Sequence, residues 1–103
     1  MLMMALSQKF IEEIVSTVLM VSHPRRIILF GSALRSDFSQ NSDIDIALVG
    51  VGDDDACRVR DCLNESIETL REIDVLSFER IANTDLKRRI LEDGRVIYER
   101  SSE

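Results

Sequence analysis

The chain is poor in the residues that several large function classes depend on. Among its 103 residues there is one histidine, and His23 stands directly before Pro24 where a helix ends, so a Ser/His/Asp relay is unsupported. There are two cysteines. Cys57 and Cys62 have no further cysteine with which to build a metal cage, and they read as reduced helix residues of a cytoplasmic protein. Basic residues are outnumbered, 13 Lys and Arg against 19 Asp and Glu, for a net charge of −6. No basic field is available to hold a nucleic-acid backbone, so direct nucleic-acid binding is not expected. A nucleotide whose phosphates travel with a metal ion is still admissible. No apolar run approaches about 18 residues, and the opening MLMMAL lacks a basic leader and a cleavage signature, so neither a membrane span nor a signal peptide is expected. The stretch GVGDDD has neither the spacing of a dinucleotide-binding glycine fingerprint nor the glutamate of a calcium loop.

What is present is an ordinary globular composition, with 45% apolar and 31% charged residues. Leu6, Phe10, Ile14 and Val18 recur at helical spacing, which predicts an amphipathic helix over 5–21. RRIILF reads as a strand running into Gly31, followed by a brief helical turn at 32–36 and the polar loop DFSQNS. A second strand is expected at 43–49, a helix over about 54–71 with Val59, Leu63, Ile67 and Leu70 on one face, and a third strand at 72–78. Asn83 or Thr84 can cap a last helix that Gly94 stops, and RVIYE can form a final strand. Helices alternate with strands, so the class is α/β or α+β around one small sheet, in a single domain over 1–103. The apolar start, Met1 to Leu6, either closes the core or docks on another subunit, which leaves an oligomer open. The basic cluster LKRR at 86–89 reads as a solvated helix face or as a partner or nucleotide contact.

The chemistry concentrates in GSALRSDFSQNSDIDIALVG, residues 31–50. Asp43 and Asp45 are two apart on a strand, so they share a face with Cα atoms about 6.5–7 Å apart, while Ile44, Ile46 and Leu48 face the core. Carboxylates on an otherwise buried strand need a cationic partner, and Mg²⁺ prefers such oxygen ligands together with phosphates and water. Gly31-Ser32, between a strand and a helical turn, offers a close backbone approach, free N–H groups and a hydroxyl to an anion. Asp74, between Ile73 and Val75, projects from the polar side of its strand and could accept a proton or bind a second ion. Glu72 shares that side and is the competing candidate.

Together these segments resemble the nucleotidyltransferase superfamily related to DNA polymerase β, whose pattern is a strand, Gly-Ser, a spacer of around ten residues, Asp-x-Asp and a later Asp. The minimal nucleotidyltransferases (MNT) are the most similar group, and the resemblance runs from Ile27 to about Phe78. It implies the polymerase β-like nucleotidyltransferase fold, with the carboxylates on a small mixed sheet flanked by helices. It implies ATP as substrate with Mg²⁺, two ions, held by Asp43, Asp45 and Asp74, and a triphosphate on the Gly31-Ser32 turn. Arg35 falls on the family's second arginine and Ser42 on the serine before Asp-x-Asp. Ala33 and Ser36 depart from the pattern, replacing an arginine and a glycine.

One expected function is transfer of AMP from ATP to a hydroxyl. The chain has no room for an acceptor-binding domain, so the acceptor must be gripped by, or be, another protein. For MNT proteins the resemblance implies a HEPN-domain toxin, neutralised by adenylylation of a tyrosine, by binding, or both. The alternatives are a non-catalytic antitoxin acting by occlusion and nucleotidyl transfer to a small molecule.

Overall fold

In the computed structural model the described residues are 7–31, 43–67 and 72–101. Helix α1, Gln8–Val21, starts where the Ser7 hydroxyl accepts the Phe10 N–H at 3.1 Å and ends at Ser22, whose N–H returns to the Val18 carbonyl. Ile11, Ile14 and Val18 form its buried stripe. The apolar start at residues 1–6 lies outside the described residues, as does the turn and loop expected over 32–42.

Strands β1 (Arg26–Phe30) and β2 (Ile44–Val49) are antiparallel neighbours, with Phe30 opposite Asp45 and Ile28 opposite Ala47. Helix α2, Asp53–Ser66, then crosses over to β3 (Ile73–Ser77), which lies parallel to β2. A parallel pair requires such a crossover. Asp53, Asp54 and Asp55 occupy the first turn of α2, where the helix dipole favours negative charge. A 3-10 turn, Phe78–Arg80, leads to helix α3, Thr84–Asp93, capped by the Asn83 side chain on the Leu86 N–H at 3.1 Å. Strand β4, Arg95–Glu99, pairs antiparallel with β1 and completes a mixed sheet of order β3-β2-β1-β4.

Element boundaries differ from the sequence reading by one to a few residues, and two of these differences have a visible cause. Helix α2 stops at Ser66, because Ile67 is extended (φ −102°, ψ 120°) and puts its side chain in the core. Its last turn is tied to β3 by Asn64, whose amide donates to the Ile73 carbonyl at 2.9 Å and accepts the Ile73 N–H at 3.1 Å. Phe78 leaves the third strand to open the 3-10 turn and packs toward α3.

The sheet is covered on both faces. On one side Ile27, Leu29, Ile44, Ile46, Leu48 and Ile73 pack against the buried residues of α1 and α2. On the other, Ile28, Ala47 and Val49 pack under Ile90 of α3, bordered by Phe30, Phe78 and Leu86. Alternation in the sequence marks only the first of these cores. The second needs α3 folded back over Ala47 and Val49, and Asp45 belongs to that same face of β2.

Candidate active site

Asp45 is held by the middle of the sheet. It is half-buried, opposite Phe30 on β1 and opposite Asp74 on β3. Paired residues on neighbouring strands point to one face, so Asp45 and Asp74 are side by side. Asp43 precedes β2 by one residue and is exposed, as is Asp74. Burial holds the Asp45 carboxyl above the ordinary carboxylate range, and the negative charges of Asp74 and then Asp43 push it further the same way. The three acidic residues singled out by the sequence therefore share one electrostatic environment. Glu72 lies just before β3 and contributes its backbone carbonyl, which accepts the Ile44 N–H at 2.9 Å.

Gly31 ends β1 directly against this group. Its φ of +80° lies in the left-handed region, and a Cβ built there would collide with Oδ2 of Asp45 and come within 3.2 Å of its Cγ. Glycine here leaves an open backbone surface beside the carboxylate, which any side chain would fill. Ser32, Arg35 and Ser42, and the departures Ala33 and Ser36, lie outside the described residues.

Beside Gly31 and Asp45 opens a cleft of about 580 Å³, whose far wall is α3. Phe30, Leu86 and Ile90 make it apolar, while Arg89 and Asp93 bring charge. The α3 wall was missed in the sequence reading of the site. Its one signal was the basic cluster at 86–89, and the sequence could not show which of those side chains turns toward the strands.

In donor chemistry the carboxylates suit a hard divalent cation, and the mutual repulsion felt at Asp45 is what such an ion would relieve. Among the described residues no three acidic, histidine or cysteine side chains converge as a ready metal cage. Phosphate and water oxygens would have to complete the shell, as is usual for Mg²⁺.

A sequence model of the family described as Polymerase beta, Nucleotidyltransferase matches residues 12–103. The chain belongs to this nucleotidyltransferase family. It is also 38% identical over 81 residues to MJ0604 of Methanocaldococcus jannaschii, whose name proposes protein adenylyltransferase activity, covering 72% of this chain and 78% of that one. Two solved structures share the nucleotidyltransferase fold. A chain from a crystal structure of a toxin-antitoxin with AMP-PNP superposes with a TM-score of 0.74 at 20% identity, over 87% of this chain and 73% of the other. A second comes from the complex of a tri-AMPylated Shewanella oneidensis HEPN toxin with an MNT antitoxin. Its TM-score is 0.64 at 20% identity, covering 91% of this chain and 74% of the other. No helix among the described residues of this nucleotidyltransferase is long and apolar enough to cross a membrane.

Proposed function

We propose that this nucleotidyltransferase moves AMP from ATP to a protein hydroxyl, a tyrosine of a HEPN-type toxin partner, and so acts as an antitoxin. The observation that carries the reading is Asp45 on the central strand, paired with Asp74, crowded by Asp43 and pressed against a left-handed Gly31. Support for the protein acceptor comes from the name of MJ0604, and for the toxin from the AMPylated HEPN complex among its fold relatives.

In this reading Asp43, Asp45 and Asp74 hold Mg²⁺, two ions, which when bound neutralise charge on the phosphates. Gly31 gives the triphosphate its close backbone approach, with Ser32, Arg35 and Ser42 as further contacts. The acceptor oxygen bonds to the α-phosphorus as the bond from that phosphorus to the α–β bridging oxygen breaks, and pyrophosphate leaves with the bond pair. Asp74, exposed on an edge strand, would take the hydroxyl proton. Residues 1–103 act as one catalytic domain, in the cytoplasm.

Intact-mass measurement of a HEPN-type partner after incubation with the protein, ATP and Mg²⁺ tests it. The expected outcome is addition of one or more AMP units, and for Asp74→Asn a partner that still co-purifies with unchanged mass. A partner that stays unmodified with the wild type, while its nuclease activity is suppressed, would establish occlusion instead.

A further inference from the structure

The basic run Lys87, Arg88, Arg89 on α3 divides by environment. Lys87 lies over the Phe78 ring, with its Nζ 5.3 Å from the ring centroid. Arg88 bridges Asp85 and Glu92 along the helix, each at 3.3 Å. Arg89 has no ion-pair or hydrogen-bond partner among the described residues, and it lines the cleft that ends on Gly31 and Asp45. It is the only cation among the described residues that line that cleft. Around it the charge is negative, from Asp45 and Asp93 in the cleft and from Asp74 beside Asp45.

A guanidinium with no partner among the described residues, at the mouth of an acidic cleft, is suited to an anion that arrives with its own cation. Its planar fork of donors matches phosphate oxygens two at a time. The apolar part of the lining, Phe30 from β1 with Leu86 and Ile90 from the same helix as Arg89, offers a seat of the kind that takes a flat ring. We infer that Arg89 is a nucleotide-positioning residue, contacting the phosphate chain of the bound nucleoside triphosphate from α3, across the cleft from Gly31. The inference rests on the nucleotidyltransferase reading of the site and deepens it. The sheet side supplies carboxylates and open backbone, and the helix side supplies the compensating positive charge.

Calorimetric titration of ATP with Mg²⁺, of inorganic tripolyphosphate with Mg²⁺, and of adenosine tests this without an acceptor. The variants are Arg89→Ala, Arg89→Lys and Arg88→Ala, each first shown by thermal unfolding to be folded. Arg89→Ala should weaken both phosphate ligands by about 10- to 100-fold, the range of a charge-assisted contact. It should leave adenosine unchanged. Arg89→Lys should recover part of the loss, since the charge survives and the fork does not, and Arg88→Ala should bind like wild type. Equal triphosphate affinity for wild type and Arg89→Ala would overturn the inference and leave the site reading standing. So would an equal loss for adenosine and tripolyphosphate. Wild-type protein that binds none of the three would overturn the site reading and the inference with it.

Discussion

Asp45 works against its own surroundings. Its carboxyl is raised by burial first, then by Asp74 and Asp43. A group whose folded-state pKa lies above its unfolded value binds more protons folded than unfolded in the window between them, so stability falls as pH rises through that window. The metal-free protein should therefore gain thermal stability in Asp45→Asn at neutral pH. The gain should vanish under acid conditions, below the ordinary aspartate range, where both carboxyl forms are protonated. Paired melting curves across pH, without divalent ions, check this. A wild type at least as stable as Asp45→Asn at neutral pH would show that Asp45 is not the crowded group. The Asp-x-Asp pattern and Gly31 were legible in the sequence because period-2 geometry and the glycine turn are local rules. The ranking of the three aspartates was not, since it depends on strand pairing between residues 29 positions apart, Asp45 and Asp74.

Elements are joined here by a few side chains that close backbone accounts. Asn64 is the clearest, satisfying both the N–H and the carbonyl of Ile73 from the last turn of α2, next to the strand position that carries Asp74. Asn64→Ala removes both bonds at once. At about 0.5–1.5 kcal/mol for each bond it should cost about 1–3 kcal/mol in chemical denaturation. Amide exchange should speed first at Ile73 and its neighbours in β3, and unchanged exchange there would mean that α2 is held by its apolar stripe alone. At the other end of the chain, Gly94 lets α3 turn back toward the sheet. A Cβ there would meet Cγ2 of Ile28 at 2.6 Å as well as the Ile90 carbonyl. The start and stop of α3 were readable from Asn83 and Gly94, which are local capping signals. The end of α2 was not readable, because helical periodicity continues to Leu70 while Ile67 is taken by the core.

The molecule as a whole is a sheet with unequal covers. Two helices bury the face of Ile27, Ile46 and Leu48, and α3 covers the other through Ile90, its one fully buried side chain. Ile14→Ala and Ile90→Ala both leave a cavity in a core, each expected to cost about 2–5 kcal/mol. Their effects on the cleft should differ. Ile90→Ala loosens the wall that carries Arg89 and should weaken ATP binding several-fold at a temperature where both variants are folded. Ile14→Ala, on the far side of the sheet, should bind ATP like wild type. Equal affinities for the two variants would mean that α3 is not part of the nucleotide site.

By itself, the sequence determined the alternation of helices and strands, the inward face of β2, the Gly-Ser and Asp-x-Asp spacing and the outward direction of Asp74. Each follows from hydrophobic period or turn chemistry within a few residues. Only the tertiary structure decided that Asp74 pairs with Asp45, that a second small core lies under α3, and that Arg89, of the three basic residues at 87–89, lines the cleft. Those facts depend on which distant segments the hydrophobic faces bring together. The rotation of a helix about its axis against a sheet is set here by the packing of Ile90 with Ile28, Ala47 and Val49, which no local pattern encodes.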